Sequence, residues 1–194
     1  HLRNGKMPLS IHLRQLPVVE KKLIDPELEK QFDSAKELTQ AVLSLREQQK
    51  LRLRWPLREL VIVTEKGKQF SKVHSVIASS CNIRRVVEAT AEPSGNYAKA
   101  DAAGAKLFLL LDADEQLRNE WELQELRRKI QEMRKQANML PRQKAKLLIA
   151  CDDKSFLQLN RKWIEKETNT ELRVIEKQPS EKLIQRLFSI ELKK

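Results

Sequence analysis

The sequence predicts an α+β fold: long amphipathic helices packed with small mixed sheets, arranged as two similar helix–strand–helix–strand units. Three observations predict it. Leu28, Phe32, Ala35, Leu38, Val42 and Leu45 recur at steps of three and four, which lays one apolar stripe along a long helix. Short apolar runs such as Leu60-Val61-Ile62-Val63 and Leu107 to Leu111 have the length of strands buried in a sheet. The second half also resembles the first. Leu45-Arg46-Glu47-Gln48 matches Met133-Arg134-Lys135-Gln136, 88 positions further on. At the same separation Arg54 meets Arg142, Arg58 meets Lys146 and Leu60 meets Leu148. One position further Ile83-Arg84 meets Leu172-Arg173, and later Lys106-Leu107-Phe108 resembles Arg186-Leu187-Phe188.

Taken in order, Ser10-Ile11-His12-Leu13 through Leu16-Pro17 reads as an extended lead-in. Asp25-Pro26-Glu27 then starts a helix: Asp as N-cap, Pro in the first turn, acids at the positive end of the dipole. The helix runs to near Lys50, and Arg54-Trp55-Pro56 breaks it, because proline disfavours helix for its predecessor. After this basic elbow come a strand at 60–63, a turn at Lys66-Gly67-Lys68, and a helix carrying Phe70, Val73 and Ile77. A strand follows from Ile83 to Ala89, then a loop from Pro93 to Gly104, then the buried strand ending at Leu111. Asp112 or Asp114 caps a second long helix with Leu123, Leu126, Ile130, Met133 and Ala137 inward, and Pro141 marks its end. Lys146 to Ala150 is a strand, Phe156 to Lys166 a helix, Leu172 to Ile175 a strand, and Leu183 to Leu192 a final strand. The expected division is 1–24, 25–113 and 114–194.

The net charge of +11 favours polyanionic partners, since each cation placed on a phosphate releases condensed counterions. Aromatic content of 5% argues against an RNA-recognition sheet paved with stacking rings. Cys81 and Cys151 stand far apart with no metal-type pairing, so free buried thiols in a reducing compartment are expected. No apolar stretch approaches the length of a membrane span, and no signal peptide opens the chain, which points to the cytoplasm and no membrane partner. The first residue is His1 rather than Met, as expected for a piece of something longer.

Catalytic and metal-binding patterns are absent. Gly5, Gly67, Gly95 and Gly104 are scattered, and none opens a phosphate-cradling loop. His1, His12 and His74 share no ligand spacing with the cysteines. Asp112/Asp114 and Asp152-Asp153 sit where a strand hands over to a helix, so N-capping explains them better than acid–base work. No catalytic, cofactor-binding or metal residue is assigned.

Two basic clusters remain. The first holds Arg46, Lys50, Arg52, Arg54 and Arg58 around Trp55; the second holds Arg127, Arg128, Arg134, Lys135, Arg142, Lys144 and Lys146. Arg127, Gln131 and Arg134, with Arg128 and Lys135, project from one side of the second long helix, away from its apolar face. Such an edge, ending in a basic elbow, can track a phosphate backbone. Trp55 has two readings, stacking on a splayed base or burying its indole in the core, and for the arginines a solvated face paired to Glu120, Glu125 and Glu132 is the rival.

These segments resemble the C-terminal end of isoleucyl-tRNA synthetase in its archaeal and eukaryotic-cytoplasmic form. Ser10-Ile11-His12-Leu13 with Leu16-Pro17 is similar to the Ser-[Val/Ile]-His motif that ends the family's helical anticodon-binding domain, so residues 1–24 would be the end of that domain. Leu23-Ile24-Asp25 with Leu28-Glu29 is similar to its Leu-Ile-Asp helix start, and Arg54-Trp55-Pro56-Leu57-Arg58-Glu59-Leu60-Val61-Ile62-Val63 to its Arg-x-Pro-Leu passage. Leu110-Leu111-Asp112 followed by Arg128-Lys129-Ile130-Gln131-Glu132-Met133-Arg134-Lys135 is similar to its closing helix. Two departures stand out: the loop from Ala91 to Ala105 is shorter than the family's, and Asn119-Glu120-Trp121-Glu122 replaces a Glu-Gly-containing helix start.

The resemblance implies a class I ligase that uses ATP and Mg to attach isoleucine to its tRNA. This segment would hold no cofactor itself and would pack along the anticodon stem. Its expected partners are isoleucine-specific tRNA and the upstream catalytic domain of the same enzyme, with the protein otherwise a monomer. RNA contacts are expected from Lys50, Arg52, Arg54, Trp55, Arg58, Arg127, Arg128, Arg134, Lys135, Arg142 and Lys144. The alternatives are a protein-interaction module with an incidental basic face and, behind it, a small enzyme.

Overall fold

The first long helix forms where its cap dictates. In the computed structural model, which describes residues 22, 24–65 and 70–193, Asp25 accepts the N–H groups of Glu27 and Leu28 and opens α1 (Pro26–Gln48). Ala35, Leu38, Val42 and Leu45 of the predicted stripe are buried, while Phe32 stays 40% exposed. There follow β1 (Leu57–Val63), a 3-10 turn at Ser71–Val73, α2 (His74–Cys81), β2 (Ile83–Ala89), β3 (Tyr97–Ala102) and β4 (Ala105–Leu110). Their sheet has the order β2-β1-β4-β3, with β1 parallel to β2 and antiparallel to β4.

The same sequence of elements then recurs. Asp114 accepts the N–H of Leu117 and caps α3 (Glu115–Gln136); β5 (Ala145–Cys151) leads to α4 (Lys154–Thr168), capped by Asp153 on the N–H of Phe156. β6 (Thr170–Val174), β7 (Glu181–Lys182) and β8 (Leu187–Lys193) complete a second sheet of order β6-β5-β8-β7. The two sheets have one topology and one pattern of parallel and antiparallel neighbours. This is the predicted α+β fold of two similar units. The lead-in at 10–17, the turn at Lys66-Gly67-Lys68 and nearly all of 1–24 lie outside the described residues.

Three sequence expectations change, and one is the tail: the single strand expected from Leu183 to Leu192 is instead a hairpin of β7 and β8 with residues 183–186 in its turn. Residues 97–102 were expected in a loop but form β3, where Ala98 and Ala100 face Leu109 and Leu107 of β4. Alanine is a poor strand former, so only the pairing with an apolar neighbour reveals the strand. The repeat also drifts along the chain. Leu60 is fully buried in β1, whereas Leu148 is only partly buried in β5 beside the fully buried Leu147 and Ile149, and Ile83 opens β2 beside Leu57 as Thr170 opens β6 beside Ala145. Phe188 pairs with Cys151 near the start of β8, so its likeness to Phe108 is one of sequence only.

α3 joins the two cores. Leu117 and Trp121 belong to the first cluster, with Leu38, Leu60 and Leu109; Leu123, Leu126 and Ile130 belong to the second, with Leu147, Phe156 and Phe188. Ile184, in the β7–β8 turn, packs against the first cluster. The fully buried Glu122 carboxylate fastens that turn by accepting the N–H groups of Ile184 and Gln185 at 3.1 and 2.8 Å. Among the described residues, no helix is long and apolar enough to cross a membrane.

Candidate nucleic-acid interface

Each long helix ends in an elbow built the same way. At the end of α1 the chain turns through Lys50 at φ 56°, and at the end of α3 through Asn138 at φ 52°. The following N–H, of Leu51 or Met139, returns to the carbonyl of Arg46 or Arg134, respectively. Those two arginines are the struts of the elbows. Arg46 is 2% exposed and donates to the carbonyls of Arg52, Trp55 and Cys81 at 2.5, 2.6 and 3.1 Å. Arg134 is 4% exposed and donates to the carbonyls of Leu140, Pro141, Gln143 and Asn169 at 2.6–3.4 Å. A guanidinium suits the position because its fixed fork of donors satisfies several buried carbonyls at once.

Asn82 and Asn169 lock the far side of each elbow. Both are left-handed helix ends, at φ 50° and 51°, and their side-chain amides donate to Leu53 in one unit and to Pro141 and Gln143 in the other. Arg134, expected on phosphate, is therefore corrected: its guanidinium is spent on main-chain carbonyls inside the fold. Arg46 was grouped with the basic cluster for the same reason and is equally internal. Coincidence in the repeat does not separate this pair from the other cations, since Arg54 and Arg142 match there as well.

The first elbow is covered by α3. The Glu125 carboxylate accepts from Arg54 Nε at 2.6 Å, Arg52 Nη1 at 2.7 Å and Trp55 Nε1 at 2.7 Å. Burial pushes its pKa up, but the hydrogen bonds from Arg54 and Trp55 and the charges of Arg54 and Arg52 more than offset this, holding it below the usual glutamate range. Trp55 stacks on Trp121 with ring centroids 5.1 Å apart and planes 13° from parallel, and Trp121 Nε1 donates to the Pro56 carbonyl at 2.7 Å. Arg58 pairs with Asp114, and Arg84 with Glu120. Of the two readings of Trp55, the packed one holds. Glu125, which the sequence offers only as a rival partner of the arginines, organises this contact together with Trp121, which sequence reasoning missed.

The expected rail along α3 is split. Arg127 faces α4 and lies 3.5 Å from Glu167, and Gln131 donates to the Glu167 carbonyl. Arg128 pairs with Glu132 one turn on at 2.6 Å. Lys135, Arg142 and Lys144 are exposed and have no ion pair among the described residues, and the same holds for Lys50 and Lys146. Lys135, Arg142 and Lys144 thus stand exposed in and beside the second elbow, while Arg52, Arg54 and Arg58 are tied up at the first.

The remaining titratable groups serve the fold. His74 Nε2 lies 2.8 Å from Glu88, whose carboxylate also accepts the N–H of Phe70. Cys81 and Cys151 are free and buried, and burial pushes their thiols up to about 11 and about 12. Asp153 lies below the usual carboxylate range, held there by the N–H of Phe156 and by Arg186.

Part of this chain is similar to archaeal isoleucine–tRNA ligases. It is 33% identical over 86 residues to the isoleucine–tRNA ligase of Methanopyrus kandleri, covering 44% of this chain and 8% of the relative. Against that of Archaeoglobus fulgidus it is 39% identical over 82 residues, 40% of this chain and 8% of the relative. Against that of Thermococcus kodakarensis the figures are 31% over 81 residues, with the same coverage. The matches thus span about 8% of the length of these curated relatives. No family model matches the chain. The chain carries, over some two-fifths of its length, a region related to isoleucine–tRNA ligases.

Proposed function

We propose that this chain is a tRNA-binding part of an isoleucine–tRNA ligase, the C-terminal region beyond the anticodon-binding domain, and that it positions isoleucine tRNA by its phosphates. The observation that carries the reading is the match to archaeal isoleucine–tRNA ligases in a chain with an excess of eleven positive charges. In such an enzyme the catalytic work, with its ATP and Mg, belongs to other domains. What this chain supplies is a fixed basic surface whose contacts set register and orientation without reading bases.

The test is binding of the chain to an isoleucine tRNA transcript across a salt series. Affinity should fall linearly in log–log form as salt rises, with a slope reporting the number of phosphates neutralised. Affinity that is flat in salt, or absent at low salt, overturns the reading.

A further inference from the structure

We infer that the two basic elbows have divided their labour: the first is an internal clamp, and the second, with Lys135, Arg142, Lys144 and Lys146, is the platform that holds the RNA phosphates. The inference rests on the proposed RNA-binding reading and says which of two similar surfaces carries it.

The contrast is read position by position at the 88-residue separation. Arg54 lies against Glu125, whereas Arg142 has no ion pair among the described residues. Trp55 and Pro56 supply the apolar and carbonyl contacts to Trp121; Gln143 and Lys144 stand in their places. Arg58 pairs with Asp114, while its counterpart Lys146 is exposed and unpaired among the described residues. Where the first elbow is built to receive a helix bearing an indole and a carboxylate, the second has no aromatic anchor, and its exposed cations form no ion pair among the described residues. A protein partner of the α3 kind has nothing to stack on there. A polyanion does have a match, since Lys135, Arg142, Lys144 and Lys146 form no ion pair among the described residues and can exchange counterions for phosphate.

The second elbow is also rigid. Arg134 takes up the carbonyls of Leu140, Pro141 and Gln143, and Asn169 those of Pro141 and Gln143, so the acceptors of the turn are engaged inward. Arg142 and Lys144 therefore project from backbone that is already ordered, and binding need not order it. Glu171 lies across from Lys146 in the sheet, and its side chain is paired with Arg173 at 3.1 Å. Arg173 foremost holds its pKa low, with smaller contributions from Lys146 and Lys144, so the local balance stays positive.

The experiment compares two variants of the full chain that remove the same number of positive charges, R142Q/K144Q and R52Q/R58Q. Each is titrated against a fluorescent isoleucine tRNA transcript at several salt concentrations, after circular dichroism melts confirm folding. The expected result is at least a tenfold loss of affinity for R142Q/K144Q, with the log–log salt slope falling by about two. R52Q/R58Q stays within about threefold of the parent with its slope unchanged, and R142K/K144R retains binding. Equal losses in the two variants, or a larger loss in R52Q/R58Q, overturn the division while leaving RNA binding intact. A parent chain that does not bind in a salt-dependent way overturns the RNA reading itself. Competition by polyglutamate as strong as by tRNA at equal charge also overturns the inference, in favour of an acidic protein.

Discussion

The elbow after α1 and the elbow after α3 share their struts and differ in what lies on top of them. Arg46 and Arg134 fill the same internal position, Asn82 and Asn169 lock the same turn, and Lys50 and Asn138 take the same left-handed backbone. Outside that frame, the first elbow is pinned under α3 by Glu125 and Trp121, whereas the second carries Arg142 and Lys144 with no ion pair among the described residues. The comparison teaches that, in a duplicated unit, a matched cation can serve the frame, as Arg46 and Arg134 do, or stand on the surface, as Arg142 does at the position matched to Arg54. A basic cluster read only by its charge merges the two.

The comparison would break first at the struts. Arg46→Ala and Arg134→Ala each strand several buried carbonyls, and each should lower stability by about 3 kcal/mol in urea unfolding, to a similar extent. A loss in one and none in the other would mean that the two elbows do not share a frame.

Next is the clamp. Glu125→Ala leaves Arg54 and the Trp55 indole N–H without their acceptor, and should cost about 2 kcal/mol after allowing for the partial exposure of both arginines. Because folding lowers the Glu125 pKa, its stabilisation is complete above the ordinary glutamate value and is lost as pH falls through the lowered one. The stability gap between the parent and E125Q should therefore be constant near neutrality and shrink below about pH 4. A gap that is the same at pH 3 and pH 7 would show that the carboxylate's charge does not hold the units together.

The smallest effect sharpens the comparison at the left-handed turn. Lys50 holds φ 56° with a long side chain, whereas Asn138 tolerates φ 52° through its own polar group. Lys50→Gly should raise stability by about 0.5–1 kcal/mol, and Asn138→Gly by less, as read from melting midpoints.

Much of this architecture is legible in the sequence. The helix starts at Asp25 and Asp114 follow from capping chemistry, and the run from Ile83 to Ala89 marks β2 at its full length. The alanine-rich β3 is not legible, because its strand character comes from lying beside Leu107 and Leu109. At the candidate site, Lys135, Arg142 and Lys144 are exposed as the charge pattern suggests. Arg134 and Arg46 are not, because periodicity alone does not show that a long guanidinium turns back beneath its own helix end to reach carbonyls.

By itself, the sequence determined the order of the helices and of most strands, the duplicated layout, the helix starts and the positive balance of the chain, all of which depend on residues close together or on simple counting. Tertiary structure alone decided which cations are free. That depends on carboxylates and carbonyls distant in sequence: Glu125 reaches Arg54 across some seventy residues. Electrostatic pairing is set by distances of a few ångströms in space, and those are fixed only once α3 has packed against both sheets.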